Sequence, residues 1–161
     1  MIENQPSRII QTFWQTYLDS LPAQNAASCA QIPPAWGFCD GGELADQLGA
    51  LVVAGTKTAT CSLLWEYEVL GESVPQVGDL SIILDGKENP LCIIQTSEIT
   101  LRPFNEVDAA FAYDEGEDDR TLESWRKAHW DYFGRTCKEI GKKLDETMPL
   151  VCERFRVIWR S

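Results

Sequence analysis

The stretch Gly55-Thr56-Lys57-Thr58-Ala59-Thr60 separates a helix-like segment from a long series of strand-like segments. Gly55 stands where a left-handed residue is wanted to end a helix. One lysine and three threonines then follow within five residues, between two apolar segments. A turn of this composition either connects two elements or holds chemistry.

The segments before this stretch predict two amphipathic helices. Ser7 to Leu21 carries apolar residues at three- and four-residue steps, and a second helix is expected from about Glu43 to Ala54. The small, polar residues from Ala23 to Ala35 predict an ordered connection between them. The buried stripe expected on the second helix consists of Leu44, Leu48, Leu51 and Val52.

The segments after the stretch predict strands. Their β-branched, aromatic and aliphatic residues alternate between turn signals such as Val77-Gly78-Asp79 and Asp85-Gly86. The last strand is expected to be half-buried, with arginines on its outer face. Closely spaced strands of this kind favour an antiparallel sheet or a small barrel. The predicted strands are Thr60 to Leu70, Leu80 to Leu84, Leu91 to Leu101 and Leu150 to Trp159.

Two further helical regions flank an acidic loop. A short helix capped near Asn105 is expected over Phe104 to Ala112, before the acidic residues Asp114 to Asp119. Apolar spacing predicts a helix over Thr121 to Phe133, interrupted at Gly134 and continued by a short helix to about Leu144.

The totals of the chain favour one globular domain. Its 161 residues are 44% apolar, and no apolar run is long enough for a membrane span. The N-terminus lacks signal-peptide features, and six irregularly spaced cysteines favour reduced thiols, so we expect a cytoplasmic protein. Residues 1–35 are predicted to pack, as a helix and a connection, on a domain formed by residues 36–161.

The charge distribution argues against broad, sequence-independent binding of polyanions. The net charge is −11, and that mode of binding depends on basic residues that neutralise phosphates. From Arg126 onward, however, nine Lys and Arg outnumber five Asp and Glu. A local basic surface therefore remains compatible with an acidic protein.

Elimination leaves lysine, threonine and carboxylates as candidate reactive groups. His129 is the only histidine, no paired-cysteine spacing accompanies it, and its place on a helical stripe fits packing better than catalysis. No metal is therefore expected, and the absence of a phosphate-binding loop gives no support for a nucleotide cofactor. Lys57 could act as a base and Thr60 as a nucleophile. The plainer alternative is a solvated turn lysine and a strand-forming threonine.

Several motifs, in this order along the chain, resemble the ASCH-domain family. The resemblance extends from about Trp36 to Trp159, and the motifs together are far more specific than the glycine-lysine turn alone. They are Ala54-Gly55-Thr56-Lys57-Thr58-Ala59-Thr60, Val77-Gly78-Asp79, Thr96-Ser97-Glu98-Ile99, the acidic segment from Glu115 to Arg126, and Val151-Cys152-Glu153-Arg154-Phe155.

The resemblance implies an α+β fold: a small PUA-like β-barrel surrounded by helices, here with an extra N-terminal helix. It also implies a nucleoside or single-stranded RNA as the partner, with no membrane involved. In some members it implies hydrolysis, either deacylation of the exocyclic amine of cytidine or cleavage of RNA. The catalytic lysine, threonine and glutamate of the deacylating branch correspond to Lys57, Thr60 and Glu117, with Glu115 as the alternative glutamate.

Other residues of the same segments are candidates for substrate contact. Trp65 or Tyr67 could stack a base. Deacylating members have an arginine where this chain has Ser62, so the resemblance does not decide between an acylated cytidine and RNA as the substrate. A non-catalytic RNA- or nucleotide-binding module and a homodimer through the N-terminal helix are alternatives. The candidate contact residues are Gly55, Thr58, Ser62, Trp65, Tyr67, Glu115, Arg154 and Arg156.

The stretch also sets a geometric condition. In a regular strand Lys57 and Thr60 would point to opposite faces, because they are an odd number of residues apart. Their cooperation therefore requires a turn, bulge or helical turn over residues 55–60, with the strand beginning only near Thr60.

Overall fold

The computed structural model describes residues 5–29, 31–39 and 41–161. None of the helices in these ranges is both long and apolar enough to cross a membrane. A short 3-10 helix, Phe104–Glu106, precedes α5. The other elements are α1 (Arg8–Ser20), α2 (Ala23–Ala26), β1 (Ala35–Trp36), α3 (Gly42–Val53), β2 (Ala59–Leu63), α4 (Leu64–Leu70), β3 (Leu80–Leu84), β4 (Pro90–Pro103), α5 (Ala109–Glu115), α6 (Leu122–Ile140) and β5 (Pro149–Arg160).

The strands form one five-stranded sheet in the order β1-β3-β4-β5-β2. The β1–β3 pair is parallel, whereas the β3–β4 and β2–β5 pairs are antiparallel. The predicted mixture of sheet and surrounding helices is confirmed. The expected barrel is not closed, because no pairing joins the edge strands β1 and β2 within the described ranges. One edge strand has only two residues, and half of a predicted strand is helical.

That helical half is α4, which replaces the C-terminal part of the strand predicted over Thr60 to Leu70. The Leu63 backbone N–H donates to the Glu66 carboxylate at 3.3 Å, which satisfies a donor at the start of the helix. Gly71 ends the helix with a φ of +66°. The strand prediction was therefore wrong beyond Leu63.

Two helix boundaries also differ from the sequence prediction. The helix expected to begin near Asn105 is instead a 3-10 turn followed by α5, and α5 begins at a different cap. Asp108 is that cap, and its carboxylate accepts a hydrogen bond from the Phe111 N–H at 2.8 Å. The break expected at Gly134 is absent, because α6 continues through it to Ile140. A single glycine lowers helix stability by only about 1 kcal/mol.

The chain divides into two compact units, and the first comprises Met1–Val53, Leu80–Gln95 and Val157–Ser161. Within its described part, the apolar face of α1 is buried against β3 and β4. The rings of Phe13 and Trp159 meet edge to face with their centroids 4.9 Å apart. The face that a homodimer through this helix would use is therefore covered within the chain. The buried residues of this cluster are Ile10, Phe13, Trp14, Tyr17, Ile82, Leu84 and Ile93.

Helix α3, in the same unit, buries a different stripe from the one predicted. Leu44 is 49% exposed, while Ala45 and Gly49 join Leu48 and Val52 on the buried side. A Cβ at Gly49 would lie 2.6 Å from the Leu91 Cδ1 atom. The Leu91 side chain therefore packs closely against the helix at Gly49, which a count of apolar residues cannot show.

The second unit comprises Ala54–Asp79 and Thr96–Arg156. Its core lies where β2 and β5 meet α5 and α6, and it contains the stretch from Gly55 to Thr60. This unit therefore positions the candidate site. The buried core residues are Ala59, Leu63, Phe104, Val107, Phe111, Ala112, Trp125, Phe133, Cys137, Met148, Leu150 and Cys152.

Candidate functional site

The turn after α3 is short. It covers Ala54, Gly55 and Thr56, and Gly55 has the predicted left-handed backbone with a φ of +78°. The Thr58 carbonyl already accepts a hydrogen bond from the Phe155 N–H at 3.0 Å. The backbone is therefore extended from Thr58 onward, and β2 itself begins at Ala59.

Lys57 follows the turn, and its side chain is buried, with 1% exposure. Its ammonium donates to the Ala59 carbonyl at 2.9 Å, the Glu115 carboxylate at 3.1 Å and the Glu115 carbonyl at 3.3 Å. The Glu117 carboxylate lies 3.8 Å away. An ammonium has three N–H donors, and these three acceptors match them. Lys57 is thus held in place rather than solvated.

The acidic segment reaches Lys57 because α5 ends beside the stretch from Thr56 to Thr58. The Thr58 N–H donates to the Asp114 carbonyl at 2.7 Å, and Arg120 donates to the Thr56 carbonyl at 3.4 Å. Gly116 then turns the chain with a φ of +72°. This turn brings the carboxylates of Glu115 and Glu117, one on each side of Gly116, close to the Lys57 ammonium.

We predict that Gly116→Ala is more destabilising than Gly71→Ala. Both glycines have a positive φ, so either alanine costs about 1–3 kcal/mol in backbone strain. Only at position 116 would the new Cβ also lie 2.5 Å from the Thr56 carbonyl oxygen, whereas nothing lies within 4 Å at position 71. Urea unfolding of both variants tests this. Equal losses would mean that the close approach has no energetic effect.

Helix α6 completes the site with Trp125 and His129. The Trp125 Nε1 atom donates to the Glu115 Oε1 atom at 3.0 Å. The rings of Trp125 and His129 stack with their centroids 4.2 Å apart. The His129 Nδ1 atom lies 2.8 Å from the Trp125 carbonyl, which can only accept, so Nδ1 carries a proton. The Nε2 atom lies 3.4 Å from Glu115 and 3.9 Å from Glu117.

His129 therefore packs, as predicted, but it also faces both carboxylates, which sequence reasoning missed. The signal available in the sequence was its spacing of four residues from Trp125, which places both on one helix face. That spacing is equally typical of a packed core. Only the position of α5 distinguishes the two.

The buried charges of this site stabilise each other. Burial is the largest single effect and alone would lower the pKa of Lys57 and of His129, but the charges of Glu115 and Glu117 and the hydrogen bonds to Glu115 together outweigh it and raise both pKa values. Burial acts in the opposite direction on Glu115, and there the charges of Lys57 and His129 hold the pKa well below its usual range. Lys57 is therefore a cation at neutral pH, which argues against its role as a general base.

Glu117 differs from the other members of this cluster. Burial and the charge of Glu115 raise its pKa to about 7, against the opposing effect of Lys57. Its side chain is 24% exposed, whereas the side chains of Lys57 and Glu115 are almost completely buried. Glu117 is thus the member that can meet a solvent-borne molecule and exchange a proton near neutral pH.

Comparison with known proteins agrees with this arrangement of motifs. The sequence model of the ASCH domain family matches residues 34–159. The chain belongs to the ASCH domain family. Comparison with curated protein sequences returned no match.

Two solved structures resemble this ASCH protein closely. One is the ASCH domain of Lactobacillus crispatus JV V101, at 32% identity and a TM-score of 0.90, covering 99% of this chain and 100% of that one. The other is a protein of Enterococcus faecalis V583, at 36% identity and a TM-score of 0.83, covering 94% of this chain and 88% of that one.

Three side chains of the ASCH site offer metal-ligand atoms. Those of Cys61, Glu115 and His129 lie within 4.8 Å of one another, and thiolate, carboxylate and imidazole are all zinc ligands. Burial and the charge of Glu115 raise the pKa of Cys61 well above its ordinary value, which opposes the thiolate form. The Lys57 ammonium also holds the same Glu115 oxygen that His129 faces. A metal would therefore have to displace a cation already in place.

Thr60 lies on the opposite face of β2 from this cluster. Successive strand residues alternate in direction, and Cys61 is close enough to Glu115 to interact with it. Thr60 pairs in register with Glu153 of β5. Within the described ranges its hydroxyl makes no hydrogen bond to Lys57, Glu115 or Glu117. The joint role of Lys57 and Thr60 stays a prediction.

The predicted contact residues occupy several environments. Trp65 and Tyr67 lie on α4 rather than on a strand, and Trp65 packs against the core. The Ser62 and Tyr67 hydroxyls are 2.9 Å apart. Gly55 is exposed, and the Thr58 hydroxyl donates to the Asp114 carbonyl at 3.3 Å.

The two arginines predicted to contact substrate differ in their surroundings. The Arg154 guanidinium is ion-paired with Asp114 at 3.1 Å and with Glu98 at 3.5 Å. Arg156 is exposed. Arg154 would have to exchange two carboxylates for a phosphate, so we expect it to contribute little to RNA affinity.

Proposed function

We propose that this ASCH protein is a hydrolase that acts on a nucleoside or RNA substrate, and that Glu117 exchanges the proton in the reaction. The reaction is either deacylation of an acylated cytidine or cleavage of RNA. The observation that carries the proposal is the position of Glu117 beside the buried Lys57–Glu115–His129 cluster, with a pKa of about 7 and partial exposure.

In the deacylation, the ionised Glu117 accepts a proton from the attacking water as the new C–O bond forms. The protonated Glu117 then returns that proton to the exocyclic nitrogen as the C–N bond breaks, which gives cytidine and a carboxylic acid. Lys57 keeps Glu115 ionised and limits the rise in the pKa of Glu117. It acts through these neighbours, because its own side chain is buried.

The test is to incubate wild type and Glu117→Gln with N4-acetylcytidine and with a short single-stranded RNA, and to measure products. We expect one of the two substrates to be converted by wild type, and the variant to be at least about 100-fold slower. Glu123→Gln, an exposed glutamate at the start of α6, is the matched control. The proposal would be contradicted if wild type converted neither substrate, or if wild type and Glu117→Gln reacted at equal rates.

A separate prediction concerns Thr60, to which the family resemblance assigns nucleophilic attack. If Thr60 forms a covalent intermediate, Thr60→Ala abolishes turnover and Thr60→Ser retains part of it. Its location on the other face of β2 favours the alternative, a water activated by Glu117. We therefore expect Thr60→Ala to keep kcat within about tenfold of wild type, an estimate that allows for altered positioning. A loss of more than about 1000-fold would establish Thr60 as the nucleophile.

A further inference from the structure

A second polar cluster occupies the face of the sheet that carries Thr60. Because Thr60 and Glu153 are directly opposed on β2 and β5, their side chains share this face, with Cβ atoms about 4.5–5.5 Å apart. Ser62 follows two residues after Thr60 on the same face. Thr96 joins from β4, and Tyr67 from α4, through their hydrogen bonds to Glu153 and Ser62 respectively.

Glu153 is the central residue of this cluster. It is only 8% exposed, and its Oε1 atom accepts a hydrogen bond from the buried Thr96 hydroxyl at 2.5 Å. Among the residues described, no donor contacts its Oε2 atom. No completely buried side-chain oxygen of that part of the chain lacks a partner, so Oε2 keeps some solvent-accessible surface. A carboxylate with one oxygen bonded and the other partly accessible can accept a further hydrogen bond.

The surroundings of Glu153 are negative and rich in hydroxyls. Burial is the main cause that raises the pKa of Glu153 and of Tyr67, and the charges of Asp79 and of Glu153, respectively, raise them further. Position 62 carries a serine, whose hydroxyl lies 2.9 Å from that of Tyr67. The Glu153 carboxylate suits a ligand with N–H donors and disfavours a phosphate or carbonyl oxygen beside it.

We propose that Glu153, with Thr96, Ser62 and Tyr67, forms a specificity site that binds the exocyclic amino group of a nucleobase. The inference rests on the proposed function only in taking a nucleoside as the ligand. It assigns recognition of the amino group to the Thr60 face of the sheet, whereas Glu117 belongs to the cluster on the Cys61 face. This site therefore fits RNA cleavage and not deacylation, in which Glu117 would have to reach the same nitrogen. Carboxylates accept hydrogen bonds from the amino group of cytosine, whereas uracil presents a carbonyl oxygen at that position.

The test compares the binding of cytidine and uridine to the full chain by titration calorimetry or NMR. Wild type is expected to bind cytidine about tenfold to hundredfold more tightly, since one well-placed pair discriminates by that amount. In Glu153→Gln the amide can donate as well as accept, so the preference should fall to less than about threefold. Glu68→Gln, an exposed glutamate on α4, should keep the wild-type ratio.

Tyr67→Phe provides a second variant in case Glu153→Gln does not fold. It removes one hydroxyl of the cluster and should lower cytidine affinity by about fivefold to tenfold, the usual size of one hydrogen bond. A wild type that binds both nucleosides equally, or neither, overturns the inference. Cytidine preference without turnover of either substrate supports the inference and contradicts the hydrolase. Turnover by wild type, combined with an unchanged preference for cytidine in Glu153→Gln, supports the hydrolase and contradicts the inference.

Discussion

The Lys57→Met variant is expected to lose about 3–5 kcal/mol of unfolding free energy at neutral pH. Methionine fills a similar volume but offers no charge, so Glu115 would be left as a buried anion without its closest cation. The carbonyls of Ala59 and Glu115 would also lose a donor. Urea unfolding followed by circular dichroism measures the loss, compared with Lys127→Met, an exposed lysine on α6.

A double variant separates the ion pair from simple packing. Lys57→Met combined with Glu115→Gln removes the orphaned charge, and the glutamine Oε1 atom can still accept from Trp125. The combined loss should therefore be smaller than the sum of the two single losses by about 1–3 kcal/mol. Strictly additive losses, or a change in Lys57→Met no larger than in Lys127→Met, would mean that the pair does not support the fold.

The sequence predicted most elements because their signals are local. α1, α3, β3 and β4 lie within two residues of their expected bounds, since periodicity and turn residues within each segment determine them. α4 was missed because Leu64 to Leu70 mixes aromatic and aliphatic residues that suit a strand equally well. The interaction that decides between them is the hydrogen bond from the Leu63 N–H to Glu66. A short apolar segment does not reveal which of its backbone donors are satisfied in this way.

The candidate site was predicted in parts. The resemblance brought Lys57 together with Glu117 or Glu115, and the structure places both carboxylates near the ammonium. Their different environments could not be predicted, because burial and pKa depend on how α5 and α6 pack. Glu115 is enclosed by Trp125 and His129, whereas Glu117 follows the glycine turn and stays partly exposed. Two glutamates two residues apart therefore have opposite shifts.

The geometric condition set by the sequence was informative. The turn after α3 is present, but the extended backbone begins at Thr58 rather than near Thr60. Alternation along β2 then assigns Cys61 to the Lys57 side and Thr60 to the Glu153 side. The sequence alone assigns no role to Glu153, because an acidic residue among apolar strand positions has no distinct pattern. Its importance depends on the register of β2 and β5.

The pH dependence of catalysis gives the most direct evidence on Glu117. The ionised carboxylate is the form that accepts a proton, so kcat/KM should rise tenfold per pH unit below about pH 7 and level off above it. Glu117→Gln should lower kcat/KM by about 100- to 10,000-fold and remove this rising limb. Initial rates on N4-acetylcytidine or on the RNA, whichever wild type converts, measured from pH 5 to 9, provide the profile.

His129 is the group that could imitate this limb, because it faces the same carboxylates and also titrates. The positive charges of His129 and Lys57 both lower the pKa of Glu117, whereas the negative charge of Glu115 raises it. His129→Gln should therefore retain the limb and move its midpoint to higher pH, since the removed charge no longer favours the ionised Glu117. If the limb disappears in His129→Gln and persists in Glu117→Gln, the imidazole is the titrating base. The assignment of proton exchange to Glu117 would then be wrong.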